Sequence, residues 1–471
     1  MWLLACTSPD PSPATANRET WAEMTADLAA PRSAADGGGT LTARSAPARV
    51  EAGAPIALEV ELEVGPEGIA VGGVISVIPS PFWGWTPPQT SAPGGPGYTT
   101  LSAPDGVQLA LEDFGGLVLA TVRGRALAPG ERVAIGYGVG DTARADRFAE
   151  RSPALWVAVD GDGDGVRSVI PHPIEVEVVP RPAAQLVVTL PSTAEPGAVV
   201  ELRIAAVDAA GNGPAPLDPP TVTVTAPGLE APVEVALVDG LAVVPVRAAA
   251  EGVYRAAVDG AVSGRSNPMV VRAGVVPILW ADLQIHSAAS DGTGDVAGLY
   301  RYAREVAGLD VAAVTDHDHW GMVALDRAPD RVAAAMAATD AADDPGRFVA
   351  VPGYEWTSWL HGHRHVLWFD HPGPWASSLD PATDTPAELH ALLAGRDVVV
   401  IRHHPAGGPV AVDWSFPVDP VLEPVVEIAS VHGQSGSPGL PGPIYDPAPG
   451  AWVEQQLADG AWFGLVGSTD G

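Results

Sequence analysis

Residues 309–320 read LDVAAVTDHDHW. The apolar run Val311–Val314 has the length and character of a buried strand, and it ends in Thr315, Asp316, His317, Asp318 and His319. Burying two carboxylates and two imidazoles without partners costs several kcal/mol, so a metal, a proton-transfer site or solvent has to satisfy them. Just upstream, Asp295 caps a helix whose Val296, Leu299, Tyr300, Ala303, Val306 and Ala307 share one face, and Gly308 stops it. A helix feeding a strand is the unit of an α/β domain. Working outward, the unit recurs from Val276 onward as seven strand-like stretches: PILWADLQIH, LDVAAVTDH, FVAVPGYEW, RHVLWFD, DVVVIRHH, PVVEIAS and WFGLVGSTD. Thr385-Pro386-Ala387-Glu388 reads as a capping box closed by Gly395, and further helices are expected near 321–339 and 449–459.

Polar groups gather at the ends of these strands. The first ends in Gln284 and His286, the second in Asp316 and His317, and the third runs into Glu355. The fifth ends in His403 and His404, the sixth carries Glu427 with His432 beyond it, and the seventh ends in Asp470. In a parallel β/α barrel such ends meet at one mouth, where active sites are built. His365 opens its strand, so the fourth strand is expected to run the other way or to begin later. Eleven of the twelve histidines lie between 286 and 432, which scattered surface histidines would not do. His390 is expected to be exposed, His361, His363 and His371 to be solvated in a loop, and His319 and His432 to sit behind the ligands. A donor set of imidazole and carboxylate without thiolate suits Zn²⁺, Mn²⁺ or Fe. Two ions bridged by Glu355 would clamp a hydroxide and a substrate oxygen.

The first 275 residues read differently. Residues 1–45 are small, polar and broken by Pro and Gly, as a tether would be. Residues 46–182 alternate with period two in PIALEVELEV, GVISVIPS, LVLATVRG and RVAIGYGV, which makes a β-rich domain with a Pro/Trp-rich loop, PSPFWGWTPPQ, at 79–89. Residues 183–275 repeat the pattern at the strand spacing of an immunoglobulin-like sandwich. The expected architecture is therefore all-β sandwich domains followed by an α/β barrel over 276–471. Asp160, Asp162 and Asp164 before Gly165 match the start of a calcium loop. Its twelfth position is Pro171 instead of Glu, so an acidic turn is the first reading and calcium the second.

With 25 basic and 57 acidic residues the formal charge is −32, and every basic residue is Arg. So negative a surface argues against nucleic acid and anionic membrane as partners and leaves a small-molecule substrate; the sequence does not fix the oligomeric state. The one cysteine, Cys6, precludes an internal disulfide. Leu3-Leu4-Ala5-Cys6 resembles a bacterial lipobox, although no basic segment or apolar run precedes it. That resemblance implies a lipid anchor at Cys6 as the sole membrane contact, and a place in the bacterial cell envelope.

The ordered motifs DLQIHSAASDGTG (282–294), VTDHDHW (314–320), GYEW (353–356), RHVLWF (364–369), HHP (403–405) and GSTDG (467–471) resemble those of the PHP (polymerase and histidinol phosphatase) superfamily of metal-dependent hydrolases. GGVISVIPS, WGWTPPQ and LYRYAREVAGLDVAAVTDHDHWG resemble a multidomain branch related to carbamate-cleaving metallohydrolases. The resemblance implies a distorted seven-stranded barrel holding two or three divalent ions. It makes His286, Glu355 and Asp470 ligands of one ion, with Glu355 bridging to a second held by His365 and His404, and Asp291 and His317 holding a third. The family's opening His-x-His has Gln284 at its first position here, a weaker ligand through its carbonyl oxygen. The closing Asp-x-His stops at Gly471, so the barrel is expected to be incomplete.

The chemistry implied is attack by metal-activated water on a phosphorus or carbonyl centre. Asp316 or His319 would orient or deprotonate that water or brace the ligands, and Arg364 and Arg402 would bind an anionic group bidentately unless they form salt bridges elsewhere. A phosphoesterase needs such arginines and is the first expectation. An amide, ester or carbamate hydrolase would prefer the apolar mouth that Trp280, Trp320, Trp356, Trp359 and Trp368 suggest. The third reading is a surface binding protein whose barrel has lost its activity.

Overall fold

The computed structural model describes residues 13–80, 84–151, 153–370 and 372–471. The chain is mostly β-sheet and divides into several units. In the first, one sheet orders the strands Gly39–Ser45, Leu58–Val64, Arg132–Tyr137 and Thr99–Ser102. A second sheet orders Ser168–Val169, Ala154–Asp160, Val74–Pro79, Leu117–Gly124 and Val107–Phe114. LEVELEV shows why they stack: Leu58, Val60, Leu62 and Val64 are buried while Glu59 and Glu63 face out. Each buried side chain there contributes on the order of 1.5–3 kcal/mol. They meet Ile75, Val77, Val118, Val122, Leu155 and Val157 of the facing sheet in one core.

The expected tether needs correcting in part. Residues 13–29 form helix α1 (Pro13–Ala29), and Gly39–Ser45 is a strand paired antiparallel to Leu58–Val64. The polar GTLTARS hides this because the strand lies at a sheet edge, where one face stays in water. Cys6 and Pro81–Trp83 of the Pro/Trp-rich loop lie outside the described residues.

The second unit is an immunoglobulin-like sandwich of sheets that are antiparallel except where Thr193–Ala194 pairs parallel to Met269–Val271, with Leu202, Ile204, Val222, Val246, Val258 and Met269 at its centre. Its loop 208–213 ties the units together. Asn212 Nδ2 donates to Arg147 O (2.8 Å) and Asp208 Oδ2 (2.9 Å), and Asn212 Oδ1 accepts from Ala149 N (2.8 Å). On its other side Gly211 O accepts from Tyr302 Oη (2.9 Å) of the third unit.

The third unit is a curled sheet whose strands lie in chain order: β1 (Ala281–Ile285), β2 (Val311–Val314), β3 (Val349–Trp356), β4 (Arg364–Trp368), β5 (Val398–Arg402), β6 (Val425–Ser430) and β7 (Gly464–Gly467). Among these seven, neighbours are parallel except at β4, which is antiparallel to both β3 and β5, and a short eighth strand, Gly433–Gln434, pairs antiparallel with β6. Of the expected distorted and incomplete barrel the structure has this curled, open sheet, since β1 and β7 share no ladder. β7 spans only Gly464–Gly467, and the register of β1 slips between Asp282 and Ile285. The two edges are instead joined beyond the strands: Thr469 N and Oγ1 donate to Asp282 (3.1 and 2.5 Å), and Asp470 N to Gln284 O (3.0 Å).

Helices pack outside. Asp295 caps α2 (Val296–Arg301), which runs on as a π-helical turn to Gly308 (φ 71°), and Tyr300 is buried against Ile285, Val314 and Phe348. α3 spans Pro329–Ala342, and α5 spans Val453–Ala458. α4 (Pro386–Leu393) has the capping box of Thr385 and Glu388 and buries Leu389 and Leu393 on Tyr354, Trp356, Val366 and Trp368.

Candidate metal centre

Strand alternation decides what faces the concave side. Tyr354 and Trp356 point toward α4, so Glu355 between them points inward. Because β4 runs against its neighbours, its N-terminal end lies at the rim where the parallel strands end, and His365 sits directly opposite Glu355. The next register pairs put Arg364 opposite both Trp356 and Arg402, on the other face.

Around Glu355 the rim gathers ten side chains: His286, Asp291, His317, Glu355, His363, His365, His403, His404, His432 and Asp470. Potential ligand atoms lie within 4.8 Å of one another in the sets His286–Asp291–His317, His286–Glu355–Asp470, Glu355–His365–His403, His363–His403–His404 and His403–His432–Asp470. His286 Nε2 is 3.3 Å from Glu355 Oε2 and 3.2 Å from Asp470 Oδ1, and His317 Nε2 is 3.2 Å from Asp291 Oδ1. His365 Nε2 is 3.4 Å from Glu355 Oε2. Gln284, fully buried, places Nε2 2.7 Å from Asp470 Oδ1 and 3.0 Å from His403 Nε2. His404 and Asp470 both adopt left-handed backbone (φ 32° and 61°), a conformation that concentrates at functional sites.

The sequence chose His404 as the partner of Glu355 and His365. The structure sets His403 in that group and His404 beside His363. His363, expected in a solvated loop, is buried, with Nδ1 2.8 Å from Glu355 Oε1 and 3.2 Å from His404 Nε2. The H-x-H spacing of His363 and His365 on a strand, which puts both on one face, is the signal that would have found it. His432 reaches Asp470 Oδ2 at 2.9 Å and Tyr445 Oη at 3.1 Å.

Outer partners fix the imidazoles. Gly407 O, 2.9 Å from His404 Nδ1, can only accept, so Nδ1 carries the proton and Nε2 offers its lone pair to the cluster. Thr357 Oγ1 donates to Glu355 O and accepts from His317 Nδ1 (2.6 Å), which turns His317 Nε2 inward. Glu427 lies 2.8 Å from His403 Nδ1. Such outer carboxylates and carbonyls are what orient metal-binding histidines.

Burial would raise Glu355 and Asp470, yet His317 and His403 around the first, and His403, His286 and His432 around the second, hold both well below the usual carboxylate range. Burial likewise opposes charge on His286 and His317. Asp470, Glu355 and Asp291 nonetheless lift His286 well above its usual value, and Asp291 and Glu355 lift His317 to about 10. Burial and neighbouring imidazoles push His403 and His404 well below theirs.

The remaining expected residues stand elsewhere. Asp316 accepts from Ser287 N (2.8 Å), Ser287 Oγ (2.7 Å) and Ser290 Oγ (2.6 Å), so both its oxygens hold the 287–290 turn. His319 Nδ1 lies 2.8 Å from Asp318 Oδ1, and its Nε2 is buried without a hydrogen bond. Arg364 and Arg402 do not reach the rim. Arg364 Nε donates to Glu423 Oε1 (3.1 Å), Arg402 Nε and Nη2 to Glu423 Oε2 (3.1 and 2.7 Å), and all three are fully buried. Half-buried His390 adds Nε2 at 3.4 Å from Glu423 Oε1. His361 pairs with Asp413 (3.1 Å), and His371 lies outside the described residues. In the acidic turn Asp160 accepts from Gly163 N and Gly165 N, and Asp164 from Val166 N, so these carboxylates hold their own loop.

The donors at the rim fit divalent ions. His365 has neither ring nitrogen hydrogen-bonded although it is fully buried, and Glu355 Oε1, His363 Nε2 and Gln284 Oε1 are likewise buried without a hydrogen bond. Native proteins leave few such atoms unpaired, and a divalent ion at the rim would satisfy these.

No protein-family model matches the chain, and no curated protein does. Solved structures that it is similar to include the D0–D1 domain of intimin, at 11% identity over 49% of this chain and 97% of that one, TM-score 0.16. InvD of Yersinia pseudotuberculosis is 15% identical over 54% of this chain and 65% of that one, TM-score 0.21. Domains 4 and 5 of the S-layer protein SbsC are 18% identical over 26% and 66%, TM-score 0.16. At such TM-scores the likenesses carry no functional weight. Among the described residues no helix is long and apolar enough to cross a membrane.

Proposed function

We propose that this protein is a metal-dependent hydrolase of the PHP type, held in the bacterial cell envelope. The observation that carries the reading is the buried ring of imidazoles around Glu355, with ligand atoms within 4.8 Å and outer nitrogens fixed by Gly407, Thr357 and Glu427. Divalent ions there supply a Lewis acid and a water acidic enough to act near pH ~7. Glu355, central to two ligand sets, would be shared between two ions; His286 and Asp470 would complete one seat, His365 and His403 a second, and Asp291 and His317 would hold a third. Cys6 as a lipid anchor supports the location.

Phosphoesters and neutral esters, amides or carbamates both suit this chemistry, and one observation favours the neutral class. The two arginines that a phosphoryl group would need are bound to Glu423. Beside the cluster instead lie partly exposed aromatic rings: Trp359 packs edge-on to His363 at 6.1 Å, and Trp320 lies 5.3 Å from Trp359. The test is hydrolysis by the metal-loaded chain. Release of naphthol from a naphthyl ester or carbamate is expected to exceed phosphate release from p-nitrophenyl phosphate. Turnover of neither by a chain that retains its metals would leave a binding protein.

A further inference from the structure

The carboxamide of Gln284 stands where a cation would be expected. Its Nε2 lies 2.7 Å from Asp470 Oδ1, 3.0 Å from His403 Nε2, 3.3 Å from Glu355 Oε2 and 3.4 Å from His286 Nε2. Three of those four groups, His286, Glu355 and Asp470, form one of the ligand sets. An amide nitrogen has two hydrogens to donate and no lone pair for a metal, so in this orientation it satisfies the carboxylates and ligates nothing. Its Oε1, the atom that can ligate, is buried without a hydrogen bond. The side chain is fully buried and sits on β1 at the seam with Asp470, whose backbone N–H donates to Gln284 O (3.0 Å).

We propose that Gln284 is a built-in plug of the His286–Glu355–Asp470 seat. With that seat empty, its N–H groups take the cation's electrostatic place between Asp470 and Glu355. An ion enters only if the carboxamide turns, withdrawing N–H and presenting Oε1. The seat is therefore exchangeable, while the His286–Asp291–His317 set, whose Asp291 and His317 the amide does not touch, holds its ion more tightly; the Glu355–His365–His403 set shares the amide through His403 and Glu355 (3.0 and 3.3 Å). The proposal rests on the metal-centre reading and adds to it a rank order among the seats.

The full chain would be stripped with chelator, reloaded with Mn²⁺ and desalted, and its metal counted beside that of Gln284→His. One ion per chain fewer is expected in the wild type, with the weakest site on the order of 10–100-fold weaker than in the variant. Equal retention of that ion by both chains overturns the proposal. If neither chain holds any metal, the metal-centre reading falls and the plug falls with it. The side-chain amide resonances of glutamine-labelled wild type give a measurement that needs no variant to fold. One NH2 pair is expected to be protected from solvent exchange in the ion-free chain and to change when the last Zn²⁺ equivalent enters. A Gln284 pair that is unprotected, or unmoved by that ion, overturns the plug.

Discussion

At the scale of single residues, the site depends on atoms one shell behind the ligands. Thr357 is the clearest case, since its hydroxyl is the nearest partner of His317 Nδ1 (2.6 Å) and so turns Nε2 inward. Thr357→Val keeps the shape and removes that partner, and metal affinity measured by chelator competition should fall on the order of 10–100-fold with the fold intact. A second residue sets a pH dependence. Burial, then the charge of Asp146, pushes the Glu150 carboxyl up to about 8. The folded state therefore binds a proton that the unfolded chain, with a carboxyl pKa of ~4.3, has lost. Stability from this group is whole below that lower value and is lost as pH rises through 8. Urea midpoints taken from pH 5 to 9 should show Glu150→Gln gaining on the wild type as pH rises, by a few kcal/mol as an order of magnitude at the top. Which residues would gather at the rim was largely legible, because ligands at strand ends need only the strands to be found. The choice between His403 and His404 was not. They are adjacent, and the left-handed backbone at His404 that aims them apart has no signature in the residue types.

At the scale of elements, β4 shows both what a pattern tells and what it hides. The expectation that β4 runs against its neighbours or begins later followed from finding His365 at its start. The faces of Arg364 and Arg402 did not follow, because their partner Glu423 lies far along the chain in a loop before β6. That triad has a mechanical role: two guanidinia on one carboxylate lock β4 to β5 behind the histidines. Burial would raise Glu423, yet the His390 imidazole and then the two guanidinia hold it well below the usual carboxylate range. Glu423→Gln would leave two buried cations without an anion, and chemical denaturation should register a loss of about 3–5 kcal/mol. Capping was the most legible feature at this scale. Asp295 and the Thr385–Glu388 box start α2 and α4 as their residue types require. The strand Gly39–Ser45 was the least, since GTLTARS has too little apolar character to announce itself.

At the scale of the whole molecule, the loop 208–213 makes three units answer to one another. Asn212 is buried and bonds across to Arg147 and Ala149 of the first unit, while Gly211 holds Tyr302 of the third. Asn212→Ala removes the part-buried bonds to Arg147 O and Ala149 N, which together cost about 1–3 kcal/mol. Limited proteolysis should then cut near 147–150 sooner than in the wild type. The division into β-rich units and a later α/β unit was visible in the change of hydrophobic period. This joint was not, because contacts between units leave no period in a sequence. The seam between β1 and β7 has a wider meaning. The edges of the curled sheet are held by Thr469 and Asp470 against Asp282 and Gln284, and Asp470 is also a prospective ligand. A cation gripped there would work as a rivet as well as a reagent. Sequestering the metal would slacken the architecture, so loss of turnover and loss of rigidity would arrive together.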